Sequence, residues 1–122
     1  MHEHGLGEGV LSALADYLTK VPPGRRLRVH LRASEMSGLS QGALQAALDH
    51  AAVDHGTPPV EVWLHADGLL GACAPCGQTV EVTSDLCCAV CGSDQITLAG
   101  GETLLVEEVL FVPVDEPEEP HG

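Results

Sequence analysis

Cys73-Ala74-Pro75-Cys76-Gly77 and Cys88-Ala89-Val90-Cys91-Gly92 are the stretch on which the reading of this chain turns. Each is a CxxCG knuckle, and 11 residues lie between Cys76 and Cys88. A knuckle bends the chain so that two thiolates aim at one ion, and the glycine that follows tolerates a left-handed turn. Two knuckles make a tetrahedral four-sulfur cage of the kind zinc prefers. All four positions are filled by protein, so a site of this type is closed, and structural rather than catalytic. Residues 73–92, which hold all five cysteines, have too little apolar content for a core of their own, and metal binding would supply the missing folding energy. Three other readings fit less well. A thioredoxin-like redox pair uses one CxxC at a helix start. A rubredoxin-like iron site uses a longer connection and an aromatic shell. A nucleic-acid zinc ribbon needs basic residues, and this segment has neither an aromatic nor a Lys or Arg. The fifth cysteine, Cys87, is a spare thiol or a substitute for Cys88 that would turn the second knuckle into CxxxC.

The flanking sequence supplies the elements that carry this insertion. Residues 26–33 alternate strictly, with Leu27, Val29, Leu31 and Ala33 toward a core and Arg26, Arg28, His30 and Arg32 outward, which is the pattern of a half-buried strand. Upstream, Leu6, Val10, Leu14, Tyr17, Leu18 and Val21 recur at helical spacing over residues 5–21. Gly5, Gly7 and Gly9 weaken the first turns of that helix by about 1 kcal/mol each relative to alanine. Downstream, Ser40 is a plausible N-cap for a second helix with Leu44, Ala47, Leu48 and Ala51 on its buried stripe. Residues 60–64 and 103–112 read as the second and third strands.

The expected fold is therefore α+β: a small three-stranded mixed sheet with two helices on one face, plus an inserted zinc-ribbon-like module. The expected boundaries are 1–66 and 102–113 for the α/β domain and 67–101 for the module. The acidic tail 114–122, rich in proline, is expected to be disordered.

Composition narrows the partners. The chain has 122 residues, 5 Lys+Arg, 18 Asp+Glu and a formal charge of −13. The cations lie between Lys20 and Arg32, and only Glu3, Glu8 and Asp16 of the acids precede Arg32. Nucleic-acid binding needs Lys and Arg to displace counterions, so it is not expected. No apolar run is long enough to span a membrane. The N-terminus is acidic and glycine-rich, unlike a signal peptide, and an odd cysteine count without one points to a reducing, cytoplasmic setting. No Ser/His/Asp set, phosphate loop or dinucleotide glycine pattern is present. The outward stripe of Arg26, Arg28 and Arg32 is read either as cross-strand pairing with acids such as Glu61 or Glu107, below about 1 kcal/mol each, or as a docking face for an acidic partner. Asp49, His50, Asp54 and His55 at the end of the second helix are read as solvated polar residues rather than a second metal site.

Met1-His2-Glu3-His4 opens the chain. The α-amine of Met1, the next amide nitrogens and the His2 imidazole can chelate one ion through fused rings. An all-nitrogen, near-planar set suits Ni(II) or Cu(II) rather than Zn(II). The amine titrates at about 8 and imidazole at about 6.5, so binding should weaken as pH falls through that range. Against this stands the ordinary fate of a terminal His pair, a solvated end.

With Met1-His2-Glu3, the segment from Val29 to Leu39 with its Glu35, Ser37 and Gly38 turn, both CxxC pairs and the closing stretch Gly101 to Val109 on the page, the sequence resembles the HypA/HybF family over residues 1 to 112. The resemblance implies a nickel metallochaperone of [NiFe]-hydrogenase maturation. It implies Ni(II), the cargo, bound through His2, Glu3 and neighbouring backbone nitrogens including that of Met1. It implies structural Zn(II) held by Cys73, Cys76, Cys88 and Cys91. It implies a HypB-like GTPase and the hydrogenase large subunit precursor as partners, and a monomer or a dimer. The competing reading is a zinc-ribbon adaptor that binds proteins without delivering metal.

Overall fold

The computed structural model describes residues 2–35, 37–99 and 103–115, with side chains from residue 7 onward. In chain order the elements are α1 (His2–Ala13), α2 (Ala15–Leu18), β1 (Arg25–Ala33), α3 (Gln41–His55), β2 (Val60–His65), β3 (Leu69–Cys73), β4 (Gln78–Val82), β5 (Ile96–Leu98) and β6 (Leu104–Pro113). One sheet has the order β2-β1-β6 and a second has the order β4-β3-β5. The chain forms two compact units: Met1–Leu31, Ser40–Leu64 and Val106–Gly122 make one, Arg32–Leu39 and His65–Leu105 the other.

The first unit is built around β1, the middle strand. Its alternation buries Ala33, at the strand end that belongs to the second unit, and within the first unit Leu27, Val29 and Leu31. Val60 and Val62 of β2 and Leu44, Leu48 and Ala51 of α3 join them in the core. Helix α3 starts where expected. The Ser40 side chain accepts a hydrogen bond from the Ala43 amide at 3.1 Å, satisfying an N–H that has no acceptor within the helix. Two glutamines on α3 bond the backbone of β2. Gln41 donates to the Val62 carbonyl at 2.6 Å and accepts from the Leu64 amide at 2.7 Å. Gln45 donates to the Val60 carbonyl at 2.8 Å and accepts from the Val62 amide at 2.9 Å.

The first helix differs from the expectation of one helix over 5–21. It begins at His2 and breaks at Leu14, whose φ of −99° and ψ of 7° interrupt the run before the single turn of α2. Packing against α3 outweighs the low propensity of the glycines. Gly7 shows why one of them is there: a Cβ at this position would stand 2.6 Å from the Ala47 carbonyl oxygen, so the contact admits no side chain. Tyr17, expected on the buried stripe, is 44% exposed, while Leu11 is buried.

The outward arginines also differ. Glu61 is 2% exposed and Arg26 is 7% exposed. Arg26 reaches Glu61 at 2.9 Å and Arg28 reaches it at 3.0 Å, and the Trp63 indole N–H donates to the same carboxylate. Burial pushes the Glu61 carboxyl up, but the bonds from Trp63, Arg26 and Arg28 outweigh it and hold the group below its ordinary value. Arg28 lies over the Trp63 ring at 4.7 Å, a cation–π contact, and the His30 ring is 5.1 Å away. These are buried pairs, so the surface magnitude expected for them does not apply. They also bind the cations of the stripe internally, against the docking-face reading. Arg26 in addition donates to the carbonyls of Pro113 and Val114, and the Val114 amide donates to Gly24. Residues 116–122 of the expected disordered tail lie outside the described residues.

The second unit has more regular structure than its composition suggests. Strand β3 pairs antiparallel with β4 and with β5, Leu69 opposite Val82 and Cys73 opposite both Gln78 and Ile96. It has a small core after all, in which Val80 packs with Cys73 and Cys88, with Cys76 and Ile96 at its border. Sulfur supplies much of the apolar volume that Leu and Val supply in the other unit.

Candidate metal centre

The two knuckles sit at strand ends. The first is the turn between β3 and β4, where Cys73 closes β3. The second follows the lone bridge between Val82 and Cys88. Both use the same backbone device: the Gly77 amide donates to the Cys73 carbonyl at 2.8 Å, and the Gly92 amide donates to the Cys88 carbonyl at 2.9 Å. Gly77 has φ 69° and Gly92 φ 80°, the left-handed conformation that glycine adopts without strain. The stretch after the second knuckle is tied back to both: the Cys88 amide donates to the Ser93 carbonyl and the Ala74 amide to the Gln95 carbonyl.

The result brings together the sulfurs of Cys73, Cys76, Cys88 and Cys91, all within 4.8 Å of one another. Cys73 and Cys91 are 3.6 Å apart, and Cys76 and Cys88 are 3.8 Å apart. Zn–S bonds of about 2.3 Å put the edge of a tetrahedral sulfur cage at about 3.8 Å, which these two pairs match. The donor set also fits: four soft sulfurs in a compact group suit zinc or iron. Two backbone N–H groups, of Val90 and Cys91, point at the Cys88 sulfur at 3.3 and 3.4 Å. The Cys91 amide, joined by that of Val90, draws the Cys88 thiol down to about 6, against burial. The sulfurs of Cys91 and Cys73 push Cys76 up to about 12. Burial raises Cys73, opposed by the Cys76 amide. Protein alone thus favours the Cys88 thiolate and resists ionisation of Cys73 and Cys76. A divalent cation supplies the charge that lets the others ionise, which makes its binding compete with protons. Cys87 stands outside the group, its sulfur toward the Asp85 carbonyl at 3.7 Å.

Charge around the cluster agrees with a protein-only environment. Arg32 is the single Lys or Arg in this unit, and it pairs with Asp67 at 2.8 Å and Glu81 at 3.2 Å. Among the described residues, this cysteine group is the one able to hold a metal. Met1 lies outside the described residues, as do the side chains of His2 and Glu3, whose backbone opens α1. The polar residues at the end of α3 gather no such group: His50 pairs with Asp54 at 3.3 Å and His55 with Glu8 of α1 at 3.5 Å. Sequence reasoning named Glu61 as a partner of the arginine stripe, and the pairing is there; what it missed is the burial of that carboxylate and the bond from Trp63. Among the described residues no helix is long and apolar enough to cross a membrane.

The family model described as "Hydrogenase/urease nickel incorporation, metallochaperone, hypA" matches residues 1–111. The hydrogenase maturation factor HypA of Dechloromonas aromatica (strain RCB) is 31% identical over 112 residues, which cover 89% of this chain and 97% of that protein. The HypA of Rhodobacter capsulatus is 28% identical over 112 residues, 89% of this chain and 97% of that one. The solution structure of the Ni metallochaperone HypA from Helicobacter pylori superposes with a TM-score of 0.56 at 13% identity, covering 93% of this chain and 99% of that one. At that identity the superposition speaks for the fold alone.

Proposed function

The chain belongs to the HypA family of hydrogenase maturation metallochaperones, which are not enzymes, and from that premise we propose that it binds Ni(II) at its N-terminus and delivers it during [NiFe]-hydrogenase maturation. The nickel ligands in this reading are the Met1 amine, the following amide nitrogens, the His2 imidazole and Glu3. Zn(II), held by Cys73, Cys76, Cys88 and Cys91, keeps the second unit folded. The partners are a HypB-like GTPase and the precursor of the hydrogenase large subunit, and the setting is the cytoplasm, where thiols stay reduced.

The family assignment over residues 1–111 carries the reading. Two further facts support it. The backbone of α1 is helical from His2, and the first four N–H groups of a helix have no acceptor within it, so the amides the chelate uses are not bound up in the helix. The cysteine cluster offers four protein donors, two of its sulfur pairs at the spacing of a sulfur-caged zinc ion.

A second reading, a zinc-ribbon adaptor that binds proteins without delivering metal, draws on the cysteine group being the one metal-capable cluster among the described residues. Metal analysis and nickel calorimetry on untagged protein separate the two. The nickel reading expects one retained zinc, one added nickel, and loss of the nickel alone in His2→Ala. Unchanged nickel stoichiometry in His2→Ala would overturn the N-terminal site, and no stoichiometric nickel in the parent would leave the adaptor.

A further inference from the structure

We propose that Leu86 and Val90, on either side of the buried Cys88, anchor a docking surface for a basic segment of a partner protein. The surface lies in the second unit and does not depend on the nickel site.

Of the seven described residues with positive φ, six are glycines and the seventh is Leu86, at 63°. A Cβ makes that conformation unfavourable, and glycine or asparagine is its usual occupant. Three bonds hold the loop in this shape. The Thr83 amide donates to the Cys87 carbonyl at 2.8 Å, the Leu86 amide to the Thr83 carbonyl at 2.9 Å, and the Cys87 amide to the Thr83 hydroxyl at 3.2 Å. Folding gains little from the leucine in return, because Leu86 is 50% exposed. A side chain that breaks the local backbone rule and packs poorly within its own chain marks a functional position.

Val90 supplies the second anchor. It sits inside the second knuckle, its amide bonded to the Cys88 sulfur at 3.3 Å, and it is 70% exposed. Four residues of chain reach at most about 14 Å, so one extended partner segment can touch both side chains. Both are exposed tips rather than the walls of a cleft, which suits a protein surface and not a small ligand.

Charge selects the partner. Asp85 directly precedes Leu86, and the bond from the Cys88 amide to the Ser93 carbonyl at 2.8 Å folds Asp94 back toward the knuckle. Both acids are exposed. The unit holds six acids against one Lys or Arg, and that one, Arg32, pairs with Asp67 and Glu81. Apolar anchors in such a field attract Lys and Arg and repel nucleic acid and anionic lipid.

The test uses full-length, zinc-loaded protein, with a synthetic peptide of alternating Leu and Lys as the probe. The peptide should shift the amide NMR signals of residues 84–92. Leu86→Asn should bind it about tenfold more weakly, the loss of one buried leucine contact. The urea midpoint of Leu86→Asn should hold or rise, because asparagine tolerates the left-handed backbone. Val90→Ser should also weaken binding, with zinc content unchanged. A peptide of alternating Leu and Gln should bind severalfold more weakly than the Lys peptide. Equal binding of the Lys peptide by the parent and both variants overturns the proposal, because charge attraction alone would then account for it. Equal affinity for the Gln and Lys peptides overturns the basic partner. A lower urea midpoint in Leu86→Asn overturns it too, by making Leu86 a folding residue. Self-association of the parent that Leu86→Asn abolishes would seat a second copy of the chain there and overturn it as well.

Discussion

The two units solve the same stability problem with different materials. The Met1–Leu31, Ser40–Leu64 and Val106–Gly122 unit has a core of leucines, valines and alanines around β1, with a carboxylate clamped by two arginines beside it. The Arg32–Leu39 and His65–Leu105 unit has three short strands and a core in which cysteine sulfur does much of the filling. The first can be stable on burial alone, because apolar area removed from water scales with the large side chains it has. The second is small enough to need a staple, and four thiols within 4.8 Å provide its seat. A chain with three aromatic residues in all has few other ways to hold a second folded body.

The largest break in this comparison comes from removing the ion. Structural zinc in small modules is worth about 10–16 kcal/mol of apparent binding free energy. Chelation, or Cys76→Ser with Cys91→Ser, should therefore unfold the second unit while β1 and α3 keep slow amide exchange. Equal loss of protection in both units would show that they fold as one.

Next comes Glu61. Replacing it with Ala strands two arginines in a buried place, and breaking a buried pair costs about 3–5 kcal/mol. Urea unfolding of Glu61→Ala should show a loss of that order in the first unit and none in zinc retention. The same group predicts the pH response. Its folded value lies below the ordinary 4.5. Its contribution is therefore complete above about 4.5 and is lost as pH falls from there through the lower folded value. Stability of the first unit measured down to acid pH should decline below 4.5 in the parent and flatten in Glu61→Ala.

These effects frame what was legible in the sequence. The knuckle spacing placed four sulfurs together, strict alternation placed β1, and the serine before Gln41 placed the start of α3. Each is a local signal with one physical reading. Glu61 was not legible as a buried group, because alternation says which face a residue takes and not whether that face is covered. Strands β3, β4 and β5 were missed because they are three to five residues long and hold few large apolar side chains. Gly7 read as a weak point in a helix. Its role comes from Ala47, 40 residues away in sequence, and no local pattern reports a contact of that kind.

Smaller effects sharpen the contrast further. Ser40→Ala removes the cap of α3 and should lower the unfolding free energy of the first unit by about 1 kcal/mol. Arg32→Ala in the second unit breaks pairs with exposed Asp67 and half-exposed Glu81. Pairs of that exposure are worth about 0.2–1 kcal/mol and fade with salt. Its effect on the melting of the zinc-loaded module should be the smallest of the set, and should vanish in high salt.

The glutamines of α3 have a consequence for solubility. Four helical residues advance about 6.0 Å and two strand residues about 6.6 Å, so side chains at 41 and 45 keep step with backbone groups at 60, 62 and 64. Their amides imitate a neighbouring strand and occupy the rim of the sheet at β2, where another molecule's strand could otherwise add on. That leaves β6 as the outer rim of the sheet, and there Glu107 and Glu108 sit mid-strand, where an antiparallel copy centred on them would bring acid against acid. Fibril-like stacking is thus discouraged at both borders by different chemistry, saturation at one and repulsion at the other.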